Sequence, residues 1–413
     1  MRRFCLALIL VACCAPQTVK NPVPASDAGL TKETVPVVPG TQPTSQPVSP
    51  KYSGPPVCTT PAQLDTDLTA AAQAATISLS GINPLNCPEV DMVETWGGGK
   101  LIFSDSPETP TVHGRLYEDG TLGATSGTVY NRVYVYHVNG KSSGKMKFTA
   151  LVKNRGTVAG TLTVQKKGTA GPSTAYAYTG KLVFERWLNS TAGTGVNVNA
   201  GAWARIDATF DATQASPSNL MHGMWDYSFT QSHTIVICAL DATEDPVSVC
   251  PGLSLLARDT HKRGTFIYAD KVYDTVSDEV IDTAEGIQSF SIAGGTANDA
   301  NVAGLDVTDN TYMVNTGNYG VLYKIHLATG YGDGQNLGFL INPRGGGWGG
   351  AVWAMPGLLA GGKFLIPPTS GTTSDNTKGS VEGKYSSAQG APWLQFMPTG
   401  GSAFPVRFVA VPY

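Results

Sequence analysis

The feature that most constrains this chain is its punctuation. From Trp96 onward, short runs rich in Val, Tyr, Phe and Thr are cut apart by Gly, Asn, Asp and Ser. The 48 Gly and 27 Pro supply the turns. Such runs read as strands, and the turn residues set their lengths. The first group is Lys100–Ser104, Thr128–Val138, Lys145–Lys153, Thr157–Gln165, Lys181–Leu188, Trp203–Phe210, Met224–Thr230 and Thr234–Leu240. The second is Gly264–Tyr273, Ile287–Ile292, Tyr319–Leu327, Leu337–Ile341, Lys363–Ile366, Trp393–Met397 and Val406–Val411. No long helical period interrupts them. The expectation is an all-β protein of one or two antiparallel β-sandwich domains, immunoglobulin-like or jelly-roll-like. The pattern weakens in Gly252–Arg263, which places a boundary near Gly252 and gives sandwiches over 96–252 and 253–413. The alternative is one large sandwich with the two groups interleaved.

The N-terminus speaks to compartment. Met1-Arg2-Arg3 is a positive start, and Phe4–Ala12 is apolar but about half the length of a membrane span. Leu10-Val11-Ala12-Cys13 resembles a bacterial lipobox, so residues 1–12 read as a signal peptide and Cys13 as the lipidated residue. Ordinary cleavage near Ala15 is the alternative. Cys14, where Asp would signal inner-membrane retention, points to the outer membrane or cell surface. The segment 13–57 is rich in Pro, Thr and Ser, and is expected to be a disordered stalk.

Residues 58–95 read as a short helix and a connector. Thr60 is the expected N-cap, Pro61 suits the first helical position, and Gln63 completes a capping box for a helix over Pro61–Ala75. Export permits disulfides. Proximity suggests Cys58–Cys87 and Cys238–Cys250, although four cysteines allow three pairings, and buried free thiols are the alternative.

Composition removes several functions. Charged residues are 14% of the chain and the net charge is −3, against the basic patch that nucleic acid requires. Gly345, Gly347 and Gly350 match a dinucleotide fingerprint, but Pro356, Gly357, Gly361 and Gly362 forbid the helix that must follow. Gly140-Lys141-Ser142 ends like a P-loop, but Val135 stands where its first glycine belongs. Gly171–Ala175 lacks the last glycine of a nucleophile elbow. Neither Asp306–Asp309 nor Asp333-Gly334 matches a calcium loop. The sequence calls for no cofactor, metal or catalytic residue.

Several phrases carry a resemblance. They are Ser104–Glu108 (SDSPE), Tyr136–Gly140 (YHVNG), Lys167–Thr174 (KGTAGPST), Arg263–Phe266 (RGTF), Thr316–Ile325 (TGNYGVLYKI), Asn342–Gly346 (NPRGG) and the closing Phe396–Tyr413. Together they resemble a module of secreted bacterial proteins labelled after a copper amine oxidase N-terminal domain, here without that domain. The resemblance spans 101–413 and implies no activity. An oxidase of that name needs three copper histidines and an acidic residue after the tyrosine of Asn-Tyr. Here Gly320 follows Asn318-Tyr319, and the six histidines form no H-x-H pair. Oxidase chemistry is rejected.

One surface stands out. Trp348 and Trp353 flank the glycine loop beside Arg344, with Asn318 and Tyr319 upstream. Aromatic faces and a guanidinium fork suit sugar rings or acidic polymers. The alternative is that the tryptophans close the core. The resulting expectation is a lipid-anchored envelope protein with a structural or binding role. Its partners would be the membrane, through the lipid, and an envelope glycan or surface protein. The competing expectation is a cell-wall or polysaccharide hydrolase with a cleft of perturbed carboxylates.

Overall fold

A central eight-stranded sheet divides the apolar interior in two. The computed structural model describes residues 58–413 except 127–128, 277–278, 297–298 and 366–373. The segments expected to be a signal peptide and a stalk, with Cys13 between them, lie outside the described residues. The strand order in the central sheet is Thr311–Val314, Ala303–Asp306, Arg263–Phe266, Leu101–Ser104, Asn131–Val138, Leu220–Phe229, Gly160–Ser173 and Val196–Val198. All eight residues of Asn131–Val138 are buried because both faces are covered. Val133 and Val135 enter one core, with Trp225 and Phe148, while Tyr134, Tyr136 and Val138 enter another. A strand covered on both sides reads as a continuous apolar run rather than an alternating one.

An outer four-stranded sheet, Gly114–Leu122, His233–Asp241, Met146–Asn154 and Trp203–Arg205, closes the first core. The second core takes side chains from two further sheets. One is six-stranded: Met92–Gly97, Asp270–Thr275, Leu322–His326, Trp393–Phe396, Ala351–Ala354 and Gly362–Leu365. The other is five-stranded: Thr76–Ser78, Lys378–Tyr385, Leu337–Pro343, Val406–Pro412 and Gln288–Ile292. The all-β sandwich expectation holds. Most pairs are antiparallel, and Leu101–Ser104 runs parallel to Asn131–Val138.

The boundary at Gly252 is corrected. Arg263–Phe266 hydrogen-bonds to Leu101–Ser104, and Asp270–Thr275 to Met92–Gly97. Strands from both sides of Gly252 share sheets, so the alternative of interleaved groups describes the fold. All described residues belong to one compact unit.

Some local expectations are also corrected. Lys181–Leu188, expected as a strand, lies in the helix Tyr176–Asn189. Its buried residues include Thr179, Val183, Phe184, Trp187 and Leu188, a helical spacing. The helix lies so close to the central sheet that a Cβ on Gly168 would sit 1.9 Å from the Val183 carbonyl oxygen. Of Trp203–Phe210, only Trp203–Arg205 is strand; Asp207 then caps a short helix by accepting from the Thr209 and Phe210 N–H groups. The first helix spans Ala62–Ala70, shorter than expected, with Pro61 as N-cap and no side-chain cap. Thr60 Oγ1 instead donates to the Pro412 carbonyl at 2.8 Å, and Gln63 Nε2 donates to Asp67 at 2.8 Å. The helix stops early because Ala74 donates its N–H to Val381 and the chain joins the five-stranded sheet at Thr76.

Both suggested cystine pairs are formed, with Cα–Cα distances of 5.4 Å for Cys58–Cys87 and 5.9 Å for Cys238–Cys250. The first ties the N-terminal helix region into a small core with Leu64, Leu68, Leu340 and Val409. The second lies behind the outer sheet with Leu151 and Leu240.

Candidate functional site

The glycine loop is not an exposed platform. Trp348 has no exposed surface, and its ring lies 6.1 Å from Phe396 inside the second core. The loop is clamped to the segment before the last strand: Gly345 N–H donates to Pro405 at 2.8 Å, and Ala403 N–H donates to Gly347 at 2.7 Å. A Cβ on Gly345 would lie 2.1 Å from the Phe404 carbonyl oxygen, so this glycine admits backbone, not ligand. Asn318 is equally closed. Its Oδ1 accepts from Val302 N–H at 2.7 Å, and its Nδ2 donates to Ala300 O and to the Tyr323 hydroxyl at 2.9 and 2.7 Å. Arg344 is half-buried and donates to Asn83 Oδ1 at 3.2 Å, and Trp353 is half-buried against the same core. The surface expected from these five residues therefore does not exist as a set. Of the five, Tyr319 lines a cavity.

That cavity has a volume of about 340 Å³. Its walls are Phe103, Tyr134, Tyr136, Tyr176 and Tyr319. Parallel pairing puts Phe103 opposite Tyr134, and the rings stack with centroids 4.7 Å apart. Tyr136, two residues on, faces the same side, as strand alternation requires. Tyr176 begins the helix and donates its hydroxyl to the Ser218 carbonyl at 2.8 Å. Tyr319 donates to the Ser402 carbonyl at 2.6 Å. These hydroxyls are held by the protein, so what the two rings offer the cavity is carbon surface. Gly400 and Gly401 complete the wall. A Cβ on Gly400 would meet the Tyr136 ring at 2.3 Å, so no other residue leaves room for that ring.

One end of the cavity is acidic. Asp105 and Glu108 line it beside His261. The turn that carries them is held by Asp259. Ser106 Oγ donates to Asp259 Oδ1 at 2.9 Å, and Glu108 N–H donates to Oδ2 at 2.8 Å. His261 bridges the acids, with Nδ1 3.1 Å from Asp259 Oδ2 and Nε2 2.6 Å from Glu108 Oε2. Burial pushes Asp105 well above the usual carboxylate range, and Glu108 and Asp259 push it further. Burial also raises Glu108, although the nearby His261 opposes the rise. Burial acts the same way on Asp259, but the N–H groups of Glu108 and His261 outweigh it and hold that carboxyl low. Asp105 Oδ1 is closed to solvent and has no hydrogen-bond partner. No Lys or Arg is among the lining residues.

The acids and the walls other than Tyr319 were not anticipated as a site. Their signal lies in the phrases that carry the family resemblance. Asp105 and Glu108 come from Ser104–Glu108, Tyr136 from Tyr136–Gly140, Tyr319 from Thr316–Ile325, and Gly400 and Gly401 from the closing phrase. Separate in sequence, these phrases meet around one cavity.

Other candidates are already engaged. His113, Asp241 and Glu244 bring donor atoms within 4.8 Å of one another. Lys141 pairs with Asp241, however, and His113 Nδ1 lies 2.8 Å from Glu244. The buried histidines are satisfied inside the fold: His137 by Ser104 and Pro107, His222 by the Val135 carbonyl, and His233 by the Tyr227 hydroxyl. Among the described residues no helix is long and apolar enough to cross a membrane.

No protein-family model matches the chain, and no curated protein does. Among solved structures, the PBSX exported protein XepA is 13% identical over 81% of this chain and 88% of its own, with a TM-score of 0.13. The 11S allergen from Cocos nucifera L. is 9% identical over 68% of this chain and 80% of its own, also with a TM-score of 0.13. Likenesses at that level carry no argument about fold or function.

Proposed function

We propose that this chain is a cell-envelope binding protein, held at the membrane by a lipid on Cys13. Its ligand seat is the cavity between Tyr134, Tyr136 and Asp105, and its ligand is a small unit of the envelope such as one residue of a glycan. The observation that carries the reading is the cavity itself. About 340 Å³ suits a single small ring, and aromatic walls with a few convergent polar groups are the usual make-up of a ligand site. Isothermal titration of the protein with envelope saccharides tests it. Tyr136→Ala, which removes one wall, is expected to abolish the heat of binding while the thermal melt stays cooperative. Equal binding by the variant overturns the reading. The anchor is tested separately: Cys13→Ser is expected to move the protein from the membrane fraction to the soluble one, and unchanged detergent partitioning would count against a lipid.

One observation favours a second reading, a hydrolase. Asp105 and Glu108 share a cavity, and burial favours the protonated form of Asp105, the form a general acid needs. Release of reducing ends from a polysaccharide, lost in Asp105→Asn, would establish hydrolysis. Binding without turnover would leave the receptor reading.

A further inference from the structure

We propose that the cavity selects a positively charged group, an organic ammonium, held between the tyrosine rings and the Asp105 carboxylate. This rests on the reading of the cavity as a ligand seat and adds the charge of what enters it. The lining holds Asp105 and Glu108 and neither lysine nor arginine. Its one basic side chain, His261, already lies between Glu108 and Asp259 at 2.6 and 3.1 Å. An anionic ligand would find two acidic groups and no free counter-charge. A cation meets the two attractions the site offers. Aromatic rings draw cations through their quadrupole. The carboxylate of Asp105, whose Oδ1 is closed off and unpartnered, supplies the counter-charge.

The resting site is consistent with this. Burial and the neighbouring acids keep Asp105 protonated above the usual carboxylate range. An entering ammonium exchanges for that proton, which leaves to solvent. Net charge inside the cavity is then conserved. The groups facing Asp105 are Glu108, Asp259 and His261, together with Tyr134, Tyr136 and Tyr319, whose hydroxyls burial holds protonated. Cation affinity should therefore rise with pH as the Asp105 proton becomes easier to displace, and Asp105→Asn should flatten that rise.

The test is a matched pair in titration calorimetry: choline, and 3,3-dimethylbutan-1-ol, its uncharged isostere. N-acetylglucosamine serves as a neutral sugar. The proposal expects choline to bind at least tenfold more tightly than the alcohol. It also expects Asp105→Asn to weaken choline by roughly 10- to 100-fold, the range for losing a charged hydrogen-bonding partner. Asn is nearly isosteric with Asp, and an unchanged thermal melt separates lost charge from lost fold. Equal binding of choline and the alcohol would overturn the charge selection. So would N-acetylglucosamine binding that Tyr136→Ala removes, and in that case the receptor reading stands. Failure of all three probes to bind would overturn both.

Discussion

Replacing Trp348 with Ala tests whether the glycine loop belongs to the core. The indole is fully buried and packs beside Phe396. A tryptophan buries ~200 Å², worth about 5 kcal/mol at ~25 cal/mol per Å². A compact denatured state has already buried part of that area, which brings the figure to about 3.5 kcal/mol. Two smaller terms act in opposite directions. The vacated volume collapses only partly and adds to the loss. The indole N–H has no acceptor, so deleting it returns about 1 kcal/mol. The net expectation is a loss of about 3–4 kcal/mol, within the range for Trp→Ala at core sites. Trp348→Phe keeps most of the ring and drops the unpartnered N–H, so it should cost no more than about 1 kcal/mol. Urea denaturation at constant m reads both. A Trp348→Ala loss of less than about 0.5 kcal/mol, the range of surface changes, would refute the burial argument. A Phe variant as damaged as the Ala variant would show that the N–H has a partner.

Three further expectations concern the body of the fold. Glu382 is fully buried with both carboxylate oxygens unpartnered, and burial raises its carboxyl well above the usual range. The folded state therefore keeps the proton while the unfolded chain loses it above about pH 4.3, so stability is full below that pH and falls as pH rises, by up to ~1.4 kcal/mol per unit. Glu382→Gln should escape this, so its advantage in urea midpoint should grow from pH 4.5 to pH 8; a constant gap would defeat the argument. Arg132 is buried between Asp226, at 2.7 and 3.0 Å, and Asp270, at 3.1 Å. Arg132→Met leaves two buried carboxylates facing each other and should cost about 3–5 kcal/mol by chemical denaturation; a near-neutral result would mean that the acids simply take up protons. Replacing Cys238 and Cys250 together with Ala opens a loop of sequence separation 12 and should cost about 3 kcal/mol, read as a lowered urea midpoint, with an unchanged midpoint excluding the link.

The architecture was legible where residue type and period agree. Val406–Val411 and Thr234–Leu240 are β-branched runs between turn residues, and both are strands. The reading failed where type outweighed period. Leu182, Val183, Phe184 and Trp187 look like a strand by composition, but the buried set Thr179, Val183, Phe184, Trp187 and Leu188 follows a helical spacing. Gly114–Leu122 and Lys378–Tyr385 were missed because Arg115, Glu118, Asp119 and Glu382 dilute their apolar character. The cavity was not legible as geometry. Tyr134 and His261 meet only because distant strands enter one sheet, and local pattern holds no record of that. Trp348 misled for a related reason. Its flanking glycines suggested an empty neighbourhood, but the neighbours come from Phe396 and Ser402–Pro405, far along the chain.

The five-stranded sheet has a consequence in time rather than space. Its last strand in chain order, Val406–Pro412, is an inner strand, paired on one side with Leu337–Pro343 and on the other with Gln288–Ile292. Without it the sheet falls into two unpaired pieces, and the apolar row Val406, Phe408 and Ala410 is missing from the second core. The second core cannot close until this segment has left the ribosome and reached its place. A ribosome stalled before Val406 would carry a chain with open sheet edges, still loose enough to be threaded through a narrow channel. Termination before Val406 should therefore leave the second core open, not trim its edge.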